Sequence, residues 1–194
     1  MLFRSSGNTF SPSTAGAGTW TITYSVGPSP CTATQQHTIT VEPNVSATWN
    51  APATICQSAG VVNLNSLITG TTGGTFSGAG VSGNNFDPVA AGVGTQSITY
   101  TVGNSPCQAT STQSVVVVAD VDPAWNSPGA ICESLGSINL NTLITGTTGG
   151  TWSGTGVSGN TFNPTGLSGA IAVTYTVGTS PCTELSTQNI TVTS

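Results

Sequence analysis

Apolar and hydroxylated residues alternate strictly over 97–102, with Ile98, Tyr100 and Val102 against Ser97, Thr99 and Thr101. A period of two places one set on a buried face of a β-strand and the other on a wet face. The pattern returns with Trp20, Ile22, Tyr24 and Val26, and again with Val173, Tyr175 and Val177. A later strand follows each of these, marked by Ile39/Val41, Val115/Val117 and Ile190/Val192. Shorter strands are predicted near 46–50, 61–65, 74–78 and 84–87, with Gly and Pro at the turns between them. No segment carries a 3.6-residue period, so the chain is predicted to be all-β.

These strands belong to a repeat. Leu-Ile-Thr-Gly-Thr-Thr-Gly-Gly-Thr at 67–75 recurs at 143–151, a period of 143 − 67 = 76 residues. Gly-Asn-x-Phe-x-Pro occurs at 7–12, 83–88 and 159–164, and Ser-Pro-Cys at 29–31, 105–107 and 180–182. Several short strands per copy predict tandem immunoglobulin-like β-sandwich repeats of about 76 residues. The predicted division is 1–43, the C-terminal half of a truncated repeat, then complete repeats at 44–119 and 120–194. Residues 1–6 fit the pattern poorly, and Met1-Leu2-Phe3-Arg4 lacks the apolar stretch of a complete signal peptide. The Pro-bearing joints at 41–45 and 119–123 are short, which favours a rod over loosely tethered beads.

Composition narrows the chemistry. Of 194 residues, 35 are Thr, 24 Ser and 25 Gly, while one is Arg, one His and none Lys. Nucleic-acid binding needs a basic surface, and the net charge is −5. A membrane span needs about 20 consecutive apolar residues, and the sequence has no such run. General acid–base catalysis needs titratable groups gathered in a pocket; only Arg4, His37, Glu42, Asp87, Asp120, Asp122, Glu133 and Glu184 are available, scattered along the chain. The chain is therefore read as a non-enzyme without catalytic residues, metal or cofactor. With so few charges, its folding is expected to depend weakly on salt and pH.

Five cysteines beside a single His point to disulfides rather than a metal site, and hence to an oxidising compartment. Each complete copy carries two, at Cys56 and Cys107 or at Cys132 and Cys182. Their regular spacing predicts one bridge within each copy, Cys56–Cys107 and Cys132–Cys182. Cys31, whose copy lacks a first cysteine, is predicted to be unpaired or paired externally. Bridges between copies are disfavoured in this reading, because Cys107 occupies a turn at the N-terminal end of its copy and Cys56 lies near the start of the same copy.

One longer run ties these pieces together: Gly-Gly-Thr-[Phe/Trp]-Ser-Gly-x-Gly-Val-Ser-Gly-Asn-x-Phe-x-Pro, then Ile-Thr-Tyr-Thr-Val, Cys, and a closing Ile-Thr-Val strand. It resembles the tandem immunoglobulin-like, PKD-like repeats of very large secreted cell-surface proteins of Bacteroidota, associated with gliding motility and type IX secretion. The resemblance covers nearly all of 7–194. It implies an adhesin-like, extracellular setting. Acidic loops, which many members carry, are scarce here: Asp87 is the single carboxylate of 44–119, so no calcium is expected to be needed for folding.

Other candidates weigh less. Asp120 and Asp122 flank a joint where tandem β-domains can hold calcium, but the equivalent joint offers Asn44 and Ser46, and a solvated linker is expected. His37 has Gln113 and Gln188 as counterparts, which argues against catalysis. The Gly-Thr-Thr-Gly-Gly-Thr runs lack the Lys and helix of a phosphate cradle and read as turns. Thr-x-Thr rows such as Thr99/Thr101 read as β-propensity on a polar face rather than an ice-binding surface. Asn44-Val45-Ser46 and Asn189-Ile190-Thr191 match the glycosylation pattern by accident in a bacterial setting. Trp49 and Trp125 are equivalent and stand as candidates for a ligand or inter-domain contact, with a place in the core as the plainer alternative. The expected function is a structural stalk or a fibre, with neighbouring repeats or identical subunits as partners. The alternative is a glycan- or surface-binding adhesin module that recognises its ligand through Trp49, Trp125 or loop residues.

Overall fold

The computed structural model describes residues 5, 6 and 8–194. Met1-Leu2-Phe3-Arg4 and Gly7, with the signal-peptide reading that falls on them, lie outside the described residues. The fold is all-β. Along 5–43 run β1 (Ser5–Ser6), β2 (Thr9–Phe10), a single helical turn α1 (Pro12–Ala15), β3 (Gly18–Val26) and β4 (Ala33–Val41). In this segment β1 pairs with β2, and β3 with β4.

Residues 44–119 contain β5 (Ile55–Cys56), β6 (Val62–Asn63), β7 (Thr75–Ser77), β8 (Val81–Ser82), β9 (Asn85–Phe86), α2 (Pro88–Ala91), β10 (Gly94–Val102) and β11 (Ala109–Val118). They form a four-stranded sheet in the order β5-β11-β10-β7 and a three-stranded sheet in the order β6-β9-β8. Residues 120–194 repeat the plan with β12 (Ala130–Cys132), β13 (Ile138–Asn139), β14 (Thr151–Gly154), β15 (Val157–Ser158), β16 (Thr161–Phe162), β17 (Gly169–Thr179) and β18 (Cys182–Thr193). Their sheets are ordered β12-β18-β17-β14 and β13-β16-β15.

The predicted 46–50 strand is reduced to one bridge, Trp49 to Ile68. The helical turns are a correction to the reading without helices. Four residues are too few to show a period, but Asp87-Pro88 signals one directly. Pro88 stands at the first helical position, and Asp87 Oδ1 accepts from the backbone N–H of Val89 at 2.9 Å.

Each of the two copies encloses one core. Leu64, Phe76, Phe86, Ile98, Tyr100, Val115 and Val117 fill the second copy. Leu140, Trp152, Phe162, Val173, Tyr175, Ile190 and Val192 occupy the equivalent places in the third. The pair Ile98/Val115 becomes Val173/Ile190, so the methylene lost on one strand returns on its neighbour and the volume is conserved, the kind of exchange a close-packed core tolerates. Tyr100 fixes a loop as well as filling space. Its hydroxyl donates to Thr71 O at 2.8 Å and accepts from Gly74 N at 3.0 Å, and Tyr175 does the same with Thr147 O and Gly150 N at 2.9 Å each. This clamp explains the glycines: a Cβ on Gly74 would sit 2.2 Å from Thr101 O and 2.8 Å from the Tyr100 ring.

Trp49 and Trp125 belong to these cores, which corrects their assignment as ligand or inter-domain contacts. They are 2% and 1% exposed. Trp49 meets Phe76 edge-on at 5.3 Å, and Trp125 meets Trp152 at 5.0 Å. Each indole N–H donates across the unit at 3.2 Å, to Ser111 O and Ser186 O respectively. A buried Trp truncated to Ala costs about 3–5 kcal/mol, whereas an exposed platform costs almost nothing. Trp49→Ala is thus expected to destabilise its unit by an amount in the first range, read by chemical denaturation; a loss below about 1 kcal/mol would put the indole outside the core.

Candidate functional site at the joint between the second and third copies

The long strands give each copy two distinct ends. β10 and β11 pair over nine residue pairs, from Gly94↔Val117 to Val102↔Ala109. At about 3.4 Å per residue this separates the ends by about 30 Å. The chain enters at the leading end, beside the β10–β11 turn, and leaves from the trailing end after Val118.

Cys56 sits at the trailing end. β5 runs parallel to β11 with Val118 opposite Cys56, and β12 runs parallel to β18 with Thr193 opposite Cys132. Cys107 and Cys182 sit at the leading ends, each in a Ser-Pro-Cys turn after a cis Ser–Pro bond. A disulfide requires Cα atoms about 4.4–6.8 Å apart. The predicted pairs Cys56–Cys107 and Cys132–Cys182 would have to span a whole unit, and neither forms. The physical reason is that residues 44–56 traverse the unit before Cys56 is reached, so nearness to the start of a copy in sequence is not nearness in space.

The bridge that forms joins successive copies. Cys56 is bonded to Cys182 with Cα atoms 5.4 Å apart, across a sequence separation of 126. It fastens the trailing end of the second copy to the leading end of the third, and Cys182 is only 4% exposed there. Cys31, Cys107 and Cys132 are free thiols, with Cys31 and Cys132 exposed and Cys107 partly covered.

Other groups gather at this joint. Asp120 Oδ1 accepts from both Ser58 N at 3.0 Å and Ser58 Oγ at 2.7 Å, tying the linker to the segment that follows Cys56. Gln57 N donates to Val118 O at 2.9 Å. On the other side, a Cβ on Gly178 would lie 2.0 Å from Cys182 O and 3.0 Å from Val121, so only glycine lets the turn and the linker approach this closely. Asp122 serves its own copy: its Oδ1 accepts from Ala124 N at 2.9 Å, and its N–H donates to Thr147 Oγ1 at 3.0 Å. The two aspartates read as flanking a calcium site are therefore engaged in separate hydrogen bonds. Among the described residues no three His, Cys, Asp or Glu side chains cluster as a metal site.

The remaining candidates are scattered. His37 is exposed on β4, opposite Ile22 of β3. Its counterparts Gln113 and Gln188 each donate to the carbonyl of the core Trp, Trp49 and Trp125 respectively. Threonines of the outward rows bond across strands, Thr99 to Thr112 and Thr174 to Thr187, at 2.7 Å. The Gly-rich runs form the loops that the Tyr clamps hold. Among the described residues no helix is long and apolar enough to cross a membrane. Sequence reasoning located the linker of this joint but missed the bonds that fasten it. The pairing of Ser58 with Asp120, 62 residues apart, carries no local signal.

No family model matches the chain, and no curated protein matches it. Among solved structures, two of the endo-fucoidan hydrolase MfFcnA4 from glycoside hydrolase family 107, one of them a point variant, overlay on it loosely. The variant gives a TM-score of 0.24 at 12% identity over 93% of this chain, and the other 0.24 at 14% over 92%. The chain spans about a third of the length of these structures, 34% in each case. Overlays this loose assign neither an activity nor a substrate.

Proposed function

We propose that this chain is a structural segment of an extracellular tandem array of immunoglobulin-like β-sandwiches, a stalk or fibre that carries load along its length. The observation that supports this reading is the Cys56–Cys182 bridge, which fastens the trailing end of one unit to the leading end of the next. Successive units are thus joined twice, by the short linker and by a covalent bond. That doubling resists bending and separation at the joint, which serves a rod and has no evident use in a module that needs only to bind. A disulfide also suits an oxidising exterior. Burial of Trp49 and Trp125 takes these two indoles out of a glycan-binding reading, which would then rest on loop residues.

Immunogold electron microscopy of intact source cells tests this, using antibody to the folded, oxidised chain. Label is expected on extended surface structures without permeabilisation. Label that appears only after lysis would sink the proposal.

A further inference from the structure

The three free thiols occupy the same two kinds of place as the bonded pair. Cys132 is the counterpart of Cys56: each ends a short first strand, parallel to the last strand of its own copy and at its trailing end. Cys31 and Cys107 are counterparts of Cys182: each lies in a Ser-Pro-Cys turn after a cis Ser–Pro bond, between the two long strands. The end of the third copy also has the shape of a seat. Cys132, Glu133, Ser134, Thr165 and Ser194 line a hollow of about 410 Å³. Residues 132–134 correspond to Cys56, Gln57 and Ser58, beside which Cys182 is bound at the joint already described.

We propose that Cys132 is a docking thiol for the Ser-Pro-Cys turn of a further copy of this repeat, held by a disulfide as Cys56 holds Cys182. Cys107 and Cys31 are the matching turn-side thiols, each taking a first-strand cysteine from a copy ahead of its own. Bridges then run in series, one per joint, always from the trailing end of one unit to the leading end of the next. In forming each bridge the two thiols lose two protons and two electrons. A small-molecule disulfide accepts them and leaves as two thiols, so that one S–S bond is exchanged for another. The inference rests on the array reading in one respect only, that further copies of the repeat exist to be joined.

The test extends the full chain by a second copy of residues 120–194 after Ser194, marked by Thr183→Ser in the added copy so that its turn peptide has a distinct mass. The protein is folded with oxidised glutathione, alkylated, and mapped without reduction. Cys132 is expected to appear bonded to the turn cysteine of the added copy and to be nearly unlabelled, while Cys31 and Cys107 take the alkylating label. Cys132 still labelled beside a folded added copy, or bonded to Cys107, overturns the proposal; the first outcome leaves the array reading standing. Appending residues 44–119 in the same position repeats the test with the other unit, and failure of both extensions to bond Cys132 likewise overturns it.

Discussion

Pulled from its two termini in an optical trap, the oxidised chain is expected to reach little more than a third of the length of the reduced chain. With the bridge closed, the covalent path runs from residue 1 to Cys56, crosses to Cys182 and ends at Ser194. That is 56 + 13 = 69 residues, against 194 when the bridge is open. At about 3.6 Å per extended residue the limits are about 250 Å and about 700 Å. The difference comes from the separation of 126 that the bond spans. It includes β6 to β17, and with them most of both cores. Force can peel residues 44–56, which carry Trp49, and 182–194, which carry Ile190 and Val192, but it cannot unravel what lies between. Cys56→Ser should give the long limit under both conditions. Equal limits with and without reductant in the unsubstituted chain would mean that the bridge is not in the load path.

The same bond shows where the sequence was readable. Alternation over 97–102 and its copies predicted the long strands, because a half-buried strand writes its two faces into every second residue. The equivalence of Tyr100 and Tyr175 was visible as a period, though the reason for it, a hydroxyl holding the loop at Gly74 or Gly150, was not. Cysteine spacing was visible too, and it misled. Spacing along a chain counts residues, while bonding depends on which end of a unit each residue reaches. Between Asn44 and Cys56 the chain travels up to about 40 Å at strand rise, enough to carry Cys56 from one end to the other. The parallel pairing of Val118 with Cys56 decides this, and parallel pairings join residues far apart in sequence with no local turn to announce them. The tryptophans were misplaced for a related reason. They precede the first regular strand of each copy, yet the irregular segment around them is drawn into the core by hydrogen bonds such as Asn50 N to Leu67 O at 2.9 Å.

In hydrogen exchange on this 194-residue chain, kept dilute, β3 and β4 are expected to lose protection at least a hundredfold faster than β10 and β11. The paired strands are equivalent, yet their surroundings differ. Tyr24 is 68% exposed and Val26 54%, whereas Tyr100 is 0% and Val102 4%. In the second copy that face is covered by Trp49, Leu64 and Phe76, all from the first half of the repeat, for which 1–43 has no equivalent. Among the described residues, this face of β3 and β4 borders a hollow lined by residues such as Phe10, Ile22, Tyr24 and Ile39. A two-stranded hairpin is marginal in water by itself, so its amides should exchange through openings that cost far less than unfolding a whole unit. A hundredfold difference corresponds to about 2.7 kcal/mol. Placing a copy of residues 44–83 ahead of Asn8 should bring Tyr24 under cover and raise the protection of 20–26 and 38–41 to that of 97–102 and 115–118. If those segments are already equally protected in the unextended chain, the hairpin is stable without the first half of a repeat, and the apolar face of Ile22, Tyr24 and Val26 needs no covering.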